Sequence, residues 1–233
     1  MNKKKFDTCF IMPTFNEQKN IAYLIKRLKK IGDVVIVDDC STDKTNIISK
    51  KNGALVIKHQ NNLGYDHALF SGLKKAKKLS YKFAITLDAD KQHNINDAKK
   101  ILKYLKRGNS IVYGERKNFQ RLMESIFSFY TSYFKNIKDP LCGLKGYNIK
   151  RCLKYGLLDR NNNIGTNVLL NSSKSNLKTH KFKINVNKRK NKSRFGGILV
   201  GNAKIFKVFL NMLIIDFINL FNSKYNYKYR DEL

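Results

Sequence analysis

Short apolar runs alternate with longer amphipathic segments over the first 115 residues of the chain. Apolar runs of four or five residues are typical of buried strands, and apolar residues recurring every three or four positions are typical of helices. The predicted strands are Thr8–Met12, Val34–Val37, Leu55–Ile57, Phe83–Leu87 and Ser110–Tyr113. The predicted helices are Lys19–Lys30, Thr45–Lys51, His67–Leu79 and Ile95–Lys106. This β-α-β-α order predicts an α/β fold, with a mostly parallel central sheet flanked by helices.

The pattern is less regular beyond Arg116. An aromatic-rich segment at Met123–Phe134 precedes a predicted turn at Asp139–Gly143 and a helix at Ile149–Leu157. Polar and apolar residues then alternate over Lys181–Asn187, as in an edge strand, and lead into the basic run Lys188–Gly197. We expect this half of the chain to form the acceptor side of any active site.

A second apolar stretch, residues 205–221, is interrupted too often by polar residues to cross a bilayer. On a helix, the polar residues Lys207, Asn211, Asp216 and Asn219 fall on one half, opposite Phe206, Leu210, Leu213, Phe217 and Leu220. Two interpretations remain open: a helix on a membrane surface, or a helix packed on the domain or on a partner subunit. Since no Pro-, Gly- or Ser-rich linker divides the chain, we predict one domain at residues 1–197 and an amphipathic extension at 198–233.

The charge balance is strongly basic, with 47 Lys and Arg against 17 Asp and Glu, a formal net charge of +30. Such a charge favours a partner rich in phosphate, whether nucleotide, nucleic acid or anionic lipid. A general Lys and Asn bias in composition would explain the charge equally well.

The four cysteines, Cys9, Cys40, Cys142 and Cys152, have no metal-binding spacing. We expect them to be reduced and structural, with Cys9 and Cys40 in buried strands. The first ten residues reach only a short apolar run before Pro13, which indicates neither a signal peptide nor a spanning helix. We therefore expect a cytoplasmic protein, peripheral on the inner face of the membrane if it binds one.

Acidic and polar clusters directly follow three of the predicted strands. They are Pro13-Thr14-Phe15-Asn16-Glu17, Asp38-Asp39-Cys40-Ser41-Thr42-Asp43 and Asp88-Ala89-Asp90-Lys91-Gln92-His93. Ligands bind beyond the carboxyl ends of strands in parallel sheets, and a carboxylate there is costly to desolvate without a cation or donors. Because Asp88 and Asp90 can both reach one hard cation that also contacts phosphate oxygens, the sequence predicts a Mg²⁺ or Mn²⁺ site.

These clusters resemble the motifs of family-2 glycosyltransferases, in the same order and spacing. The resemblance includes Asn62-Leu63-Gly64 with Ala68 and Gly72, and Gly114-Glu115-Arg116. Three features are similar to the polyisoprenyl-phosphate branch of that family: Asp-Ala-Asp-Lys-Gln-His, the segment from Asp139 to Gly143, and the basic run Ser193-Arg194-Phe195-Gly196. Asp66 departs from the pattern, since the family usually has glycine there.

The resemblance implies a GT-A, Rossmann-like fold and an inverting, metal-dependent transfer of one sugar, mannose or glucose, from a nucleotide-diphosphate sugar. It implies nucleoside binding by Pro13, Asn16, Glu17, Asp39 and Asp43, with Gly64 shaping a turn whose N–H groups face phosphate. Metal and diphosphate would be held by Asp88, Asp90 and Gln92, and acceptor phosphate by Arg116, Arg189, Ser193 and Arg194. A small membrane subunit is a further possible partner.

Two kinds of acceptor remain open on chemical grounds. A lipid monophosphate is already ionised near neutral pH and needs cations to position it, whereas a saccharide hydroxyl needs a base, for which Asp139 is the candidate. We therefore place Asp90, Asp139 and Arg116 as catalytic candidates. A basic nucleic-acid-binding protein is a further alternative, although no nucleic-acid motif is present.

Overall fold

The computed structural model describes residues 5–119, 121–155, 158, 164–172, 177–187 and 198–221. Within them, seven strands form one sheet in the order β3-β2-β1-β4-β6-β5-β7. The strands are β1 (Thr8–Thr14), β2 (Asp33–Asp38), β3 (Leu55–Lys58), β4 (Phe83–Thr86), β5 (Ile111–Arg116), β6 (Lys145–Asn148) and β7 (Thr179–Ile184). The five strands predicted in the first 115 residues and the edge strand near Lys181 are confirmed.

The sheet is parallel except for β6, which lies antiparallel between β4 and β5. The strand β6 was not predicted, because Lys-Gly-Tyr-Asn has neither an apolar run nor a clear alternation. Its insertion separates β4 from β5, which are consecutive among the predicted strands. The carboxyl ends of β1, β2 and β4 still meet at one edge of the sheet, since β1 pairs in parallel with both neighbours.

Helices cover both faces of the sheet. They are α1 (Ile21–Leu28), α2 (Thr45–Lys51), α3 (Tyr65–Lys78), α4 (Ile95–Lys106), α5 (Leu122–Lys135), α6 (Ile149–Lys154), α7 (Ile164–Ser172) and α8 (Ile198–Phe221). The bounds of α2 and α4 match the prediction. The N-cap of α2 is Lys44, and Asp43 Oδ1 accepts the Thr45 N–H at 2.9 Å. The helix α7 was not predicted.

The alternation of side chains along β1 divides the core into two layers. Cys9 and Ile11 face the layer that contains Leu69 of α3 and Phe127 of α5. Phe10 and Met12 face the other layer, which contains side chains of α1 and α4. The sheet is therefore packed on both faces beneath the acidic edge.

The cysteines are all free thiols. Cys9, Cys142 and Cys152 are buried, as expected of structural cysteines. Cys40 differs from the prediction, because it lies one residue past Asp39, outside β2, and is only half-buried. Its φ of 65° places it in the left-handed region, and its Sγ donates to the Gln60 carbonyl at 3.2 Å.

The helix α8 packs along α5. The Met123 N–H donates to Asn202 Oδ1 at 3.2 Å near the start of both helices, and Lys135 Nζ lies 2.8 Å from Asp216 Oδ2 near the end of α5. Between these contacts, the Phe127 and Phe209 rings lie 5.4 Å apart. No helix in the described part of the chain is long and apolar enough to span a bilayer.

Candidate active site

The loops after β1, β2 and β4 share an unusual backbone conformation. Asn16, Cys40 and Lys91 each have φ between 55° and 65°, in the left-handed region that residues other than glycine rarely adopt. Such residues concentrate at functional sites, where the surrounding contacts hold the strained conformation. The three loops that carry the predicted clusters are therefore constrained in the way that active-site loops usually are.

Asp39 is buried and holds the loop that precedes α3. Its Oδ1 accepts the Leu63 N–H at 2.9 Å and lies 2.7 Å from His59 Nδ1, and its Oδ2 accepts the Gly64 N–H at 2.8 Å. The Gly64 N–H is therefore already hydrogen-bonded to Asp39. Gly64 has φ 89°, so a glycine is needed there for backbone reasons.

Asn16, Glu17 and Asp43 join the loops after β1 and β2. Asn16 Oδ1 accepts the Thr42 N–H at 2.9 Å, and Asp43 Oδ2 accepts the Gln18 N–H at 3.1 Å. Glu17 is 3% exposed, and its Oε2 accepts from Asn20 Nδ2 at 2.8 Å. Pro13 lies on buried β1, paired with Val37 of β2. The loops that carry the predicted nucleoside-binding residues are thus joined by hydrogen bonds into one surface.

The N-terminus of α3 connects this surface to the Asp-x-Asp segment. Gly64 is held by Asp39, and the next residue, Tyr65, forms a side-chain hydrogen bond with Asp88. Burial of the Tyr65 hydroxyl and the adjacent Asp88 charge raise the pKa of Tyr65 well above its ordinary value, so the phenol is a neutral donor. Sequence reasoning missed Tyr65, for which the motif gave no signal.

Asp88 is held by contacts from other parts of the chain. Its Oδ2 lies 3.2 Å from His93 Nε2. Burial favours the neutral carboxyl, but the hydrogen bond and electrostatic attraction of His93, with smaller contributions from Tyr65 and Arg116, hold the pKa of Asp88 below its ordinary value. Gly143 packs directly against the carboxylate, since a Cβ there would lie 2.5 Å from Asp88 Oδ2. Asp88 is therefore an ionised carboxylate whose position is fixed by His93, Tyr65 and Gly143.

Asp90 and Gln92 lie in the loop after β4. Asp90 Oδ1 accepts the Gln92 N–H at 3.0 Å, and Gln92 Nε2 donates to the Asn187 carbonyl at 3.3 Å. Asn187 in turn donates its N–H to the Gln92 carbonyl at 3.0 Å. Asn187, which follows β7, is therefore fixed beside the Asp-x-Asp loop. Arg189, Ser193 and Arg194 follow Asn187 in sequence and lie outside the described residues.

A cavity of about 580 Å³ opens beside Asp90. It is bounded by side chains of α1, by the loop from Asp90 to Asn94 and by the start of α4. Arg27, Lys30, Lys91 and Lys99 line it. Asp90 therefore borders a space whose other charged side chains are basic.

The fit of a divalent cation depends on the carboxylates at the end of β4. Among the described residues, no three His, Cys, Asp or Glu side chains cluster closely enough to form a complete metal site. Mg²⁺ and similar ions are commonly held by only one or two carboxylates together with substrate phosphates. Asp88, ionised and 32% exposed in its side chain, and Asp90 fit a site of that kind.

Arg116 and Asp139 form a buried ion pair at the end of β5. Arg116 Nε donates to Asp139 Oδ2 at 2.7 Å and Nη2 donates to Oδ1 at 2.9 Å. Glu124 of α5 lies 3.6 Å from Arg116 Nη1. Burial opposes the charge on Arg116, but Asp139 and Glu124 raise its pKa further above the ordinary value. The structure brings these two catalytic candidates together, with the Arg116 side chain 17% exposed.

Lys145 is a buried lysine that the sequence pattern did not indicate. Its Nζ donates to the Pro140 carbonyl at 2.9 Å, next to the Asp139 turn. Burial lowers the pKa of Lys145, against the attraction of Cys142, Asp139 and Asp88. Because Lys145 belongs to the unpredicted strand β6, no pattern in the sequence indicated its burial.

The described site combines acidic clusters at the ends of three strands with a paired arginine on a fourth. Residues 9–152 match the sequence model of glycosyl transferase family 2. The chain belongs to this family. The family assignment agrees with the motifs at Asp39, Asp88 and Asp90.

Several curated relatives have names that describe their acceptors. A UDP-N-acetylglucosamine–dolichyl-phosphate N-acetylglucosaminyltransferase of Methanococcus voltae is 33% identical over 111 residues, 40% of this chain and 44% of the relative. A dolichol-phosphate mannosyltransferase of Pyrococcus furiosus is 31% identical over 115 residues, 46% of this chain and 32% of the relative. An uncharacterised Methanocaldococcus jannaschii protein is 42% identical over 120 residues, 50% of this chain and 49% of the relative. The matched segments thus span half or less of these three relatives.

Solved structures of other proteins share the fold. Glucosyl-3-phosphoglycerate synthase from Mycobacterium tuberculosis, in complex with Mn²⁺, UDP-glucose and phosphoglyceric acid, aligns with a TM-score of 0.66 and 17% identity. The alignment covers 88% of this chain and 78% of that structure. The likeness shows a GT-A fold, as the sequence predicted.

Proposed function

We propose that this glycosyltransferase moves one sugar from a nucleotide-diphosphate sugar to a polyisoprenyl phosphate, with inversion, at the cytoplasmic membrane face. The observation that carries the proposal is the arrangement along one sheet edge. Gly64, bonded to Asp39, and the adjacent Tyr65, bonded to Asp88, join the acidic clusters after β2 and β4. Arg116 is close enough to Asp88 to lower its pKa. Two relatives named for dolichyl or dolichol phosphate support the acceptor class.

The donor is proposed to lie along the surface from Glu17 to Asp90. Asp39 fixes the loop before α3, while Pro13, Asn16, Glu17 and Asp43 shape the nucleoside end. Asp88, Asp90 and Gln92 would hold the diphosphate end with Mg²⁺ or Mn²⁺. A bound divalent cation would neutralise the charge that develops on the departing diphosphate.

The acceptor phosphate is proposed to contact Arg116. A lipid monophosphate is ionised near neutral pH, so no protein base is required to activate its oxygen. An arginine has five N–H donors in a planar fork, and two of those of Arg116 bond to the Asp139 side chain. Guanidinium donors that remain can orient a phosphate oxygen towards the anomeric carbon. Arg189, Ser193 and Arg194 are proposed to add further contacts.

Asp139 is proposed to position Arg116 rather than to act as a base. Its side chain is 1% exposed, and both oxygens accept from the Arg116 guanidinium. Removing a proton from a saccharide hydroxyl would require Asp139 to break this pair first. The geometry thus favours the phosphate acceptor over the saccharide rival.

The proposal is tested by offering matched acceptors. The chain is incubated with Mn²⁺ and radiolabelled GDP-mannose, UDP-glucose or UDP-N-acetylglucosamine, together with a short-chain polyisoprenyl phosphate, the corresponding polyisoprenol or a free sugar. We expect label to enter an organic-soluble product with the phosphate alone, and Arg116→Gln to lower this transfer. Transfer to the free sugar without transfer to the lipid phosphate would favour the saccharide rival.

A further inference from the structure

Two apolar stripes lie exposed on α5 and α8. On α5, Leu122, Ile126, Phe129 and Tyr133 recur at helical spacing, and Phe129 and Tyr133 are 77% and 78% exposed. On α8, Phe206, Leu210, Ile214 and Ile218 recur every fourth residue and are also exposed. Large side chains in contiguous exposed patches mark interaction sites, whereas scattered ones need no explanation.

A chain of aromatic rings joins the two helices. Phe209 of α8 lies 5.5 Å from Tyr130 of α5, Tyr130 lies 4.6 Å from Phe134, and Phe134 lies 4.9 Å from Tyr133. Phe134 is itself exposed. The exposed side chains of α5 and α8 are therefore parts of one surface, which we call the α5–α8 face.

The packing of α8 leaves its apolar half outside. Toward α5 it presents Ile205, Phe209 and Met212, and also Asp216, which pairs with Lys135 and accepts from the Tyr130 hydroxyl at 3.3 Å. Phe206 and Leu210, on the apolar half indicated by the sequence, are exposed. Packing on the domain therefore leaves the apolar half of this helix exposed.

The charges of the two helices match an anionic surface. The acidic side chains among their described residues are turned inward, since Glu124 is buried at 5% and Asp216 is bound by Lys135. The exposed charged side chains described on α8 are Lys204 and Lys207. Aromatic and aliphatic side chains bordered by lysines are typical of protein surfaces that lie in the headgroup region of a bilayer.

We propose that the α5–α8 face docks on a bilayer that contains anionic lipid. This inference deepens the proposed function, in which the acceptor is a membrane lipid, and names the surface that meets the membrane. Glu124, turned inward from α5, lies 3.6 Å from Arg116, so Arg116 lies beneath α5, on the side away from the docked face. Docking would thus hold Arg116 one helix away from the bilayer surface.

Vesicle binding tests the inference without any acceptor present. The full chain is sedimented with phosphatidylglycerol or phosphatidylcholine vesicles, and wild type is compared with Phe129→Ser/Phe206→Ser. The matched control is Ile47→Ser/Tyr155→Ser, because these two residues are also exposed but lie on neither helix. We expect wild type and control to bind phosphatidylglycerol vesicles more tightly than phosphatidylcholine vesicles. The α5–α8 variant should bind phosphatidylglycerol vesicles at least about tenfold more weakly than wild type.

Three results would overturn the inference. The first is that wild type leaves phosphatidylglycerol vesicles unbound, and the second is that the control loses as much binding as the α5–α8 variant. The third is a dimer, detected by light scattering, that only the α5–α8 variant breaks, because a second copy would then be the occupant of the face. Docking and catalysis are distinguished with a short-chain, water-soluble polyisoprenyl phosphate, which reaches the active site without a membrane. The docking variant should still glycosylate this acceptor. If the proposed function is wrong, wild type will not glycosylate it either.

Discussion

The Arg116 guanidinium and the Asp139 carboxylate meet in a two-point ion pair, with N–O distances of 2.7 and 2.9 Å. The Arg116 backbone N–H also donates to Asp139 Oδ2, at 3.0 Å. A turn from the second half of the chain thus fixes the arginine at the end of β5. The two residues act as one structural unit.

Asp139→Asn should therefore destabilise the fold as well as slow transfer. Removing one partner of a buried pair leaves an uncompensated charge, and we expect a loss of about 3 kcal/mol in the free energy of unfolding, measured by urea titration. The shape of the pH–rate profile for a lipid phosphate acceptor should stay unchanged. Loss of its acidic limb with full stability would instead identify Asp139 as a base.

Gly143→Ala should impair the donor site while leaving the fold largely intact. A Cβ at this position would lie 2.5 Å from Asp88 Oδ2, and the side-chain carboxylate can move aside more readily than the backbone. We expect Mn²⁺-dependent binding of the sugar nucleotide to weaken about tenfold, or 1.4 kcal/mol, in calorimetric titration. The control is Gly108→Ala, where φ is 91° and no atom lies within 4 Å of the added Cβ. Gly108→Ala should lower the free energy of unfolding without weakening nucleotide binding. Equal losses of binding in both variants would show that the contact between Gly143 and Asp88 does not matter for the donor site.

The cysteines should differ sharply in reactivity toward a thiol reagent. Burial raises the pKa of Cys142 and of Cys152 to about 12, so the thiolate fraction of each at pH 8 falls well below that of an ordinary thiol. Cys9 is fully buried, whereas Cys40 is half-buried. We expect one rapid reaction in the native protein, abolished by Cys40→Ser, and four reactions in denaturant. Rapid labelling of two or more native thiols would contradict the buried positions.

Asp216→Ala should loosen α8 from α5. The carboxylate binds Lys135 and Tyr130 in a partly buried position, so we expect a loss of about 1–2 kcal/mol in urea unfolding. Asn211→Ala is the control, because Asn211 is exposed on the same helix and should change stability by less than about 0.5 kcal/mol. Equal stability of both variants would show that the Asp216 contacts do not hold the helix.

The fold of the first 115 residues could be predicted because strands and helices there follow their ordinary periodicities. The bounds of α2 and α4 and the buried strands β1, β2 and β4 follow from short apolar runs and amphipathic spacing. β6 could not be predicted, because its burial comes from the strands on either side of it. Its polar first residue, Lys145, is buried by that tertiary context.

The candidate site could be predicted only in part. Asp39, Asp88 and Asp90 were indicated because carboxylates after buried strands need a ligand or donors. Two further features depend on how α3 packs across the sheet. One is the pair of hydrogen bonds that Asp39 accepts from Leu63 and Gly64, and the other is the hydrogen bond between Tyr65 and Asp88. Such contacts join residues far apart in sequence and have no local pattern.

The proposed donor and metal site is best tested by thermal stabilisation with sugar nucleotides, because a ligand that binds the folded state raises its apparent stability. Wild type, Asp90→Asn and the control Asp97→Asn are heated with GDP-mannose, UDP-glucose or UDP-N-acetylglucosamine, each with and without Mn²⁺. Asp97 suits the control because it is an acidic residue of α4 that pairs with Lys100. We expect a Mn²⁺-dependent rise in Tm with at least one sugar nucleotide, kept in Asp97→Asn and lost in Asp90→Asn. No rise with any of them in wild type, or an undiminished rise in Asp90→Asn, would show that Asp90 does not form a metal-dependent donor site.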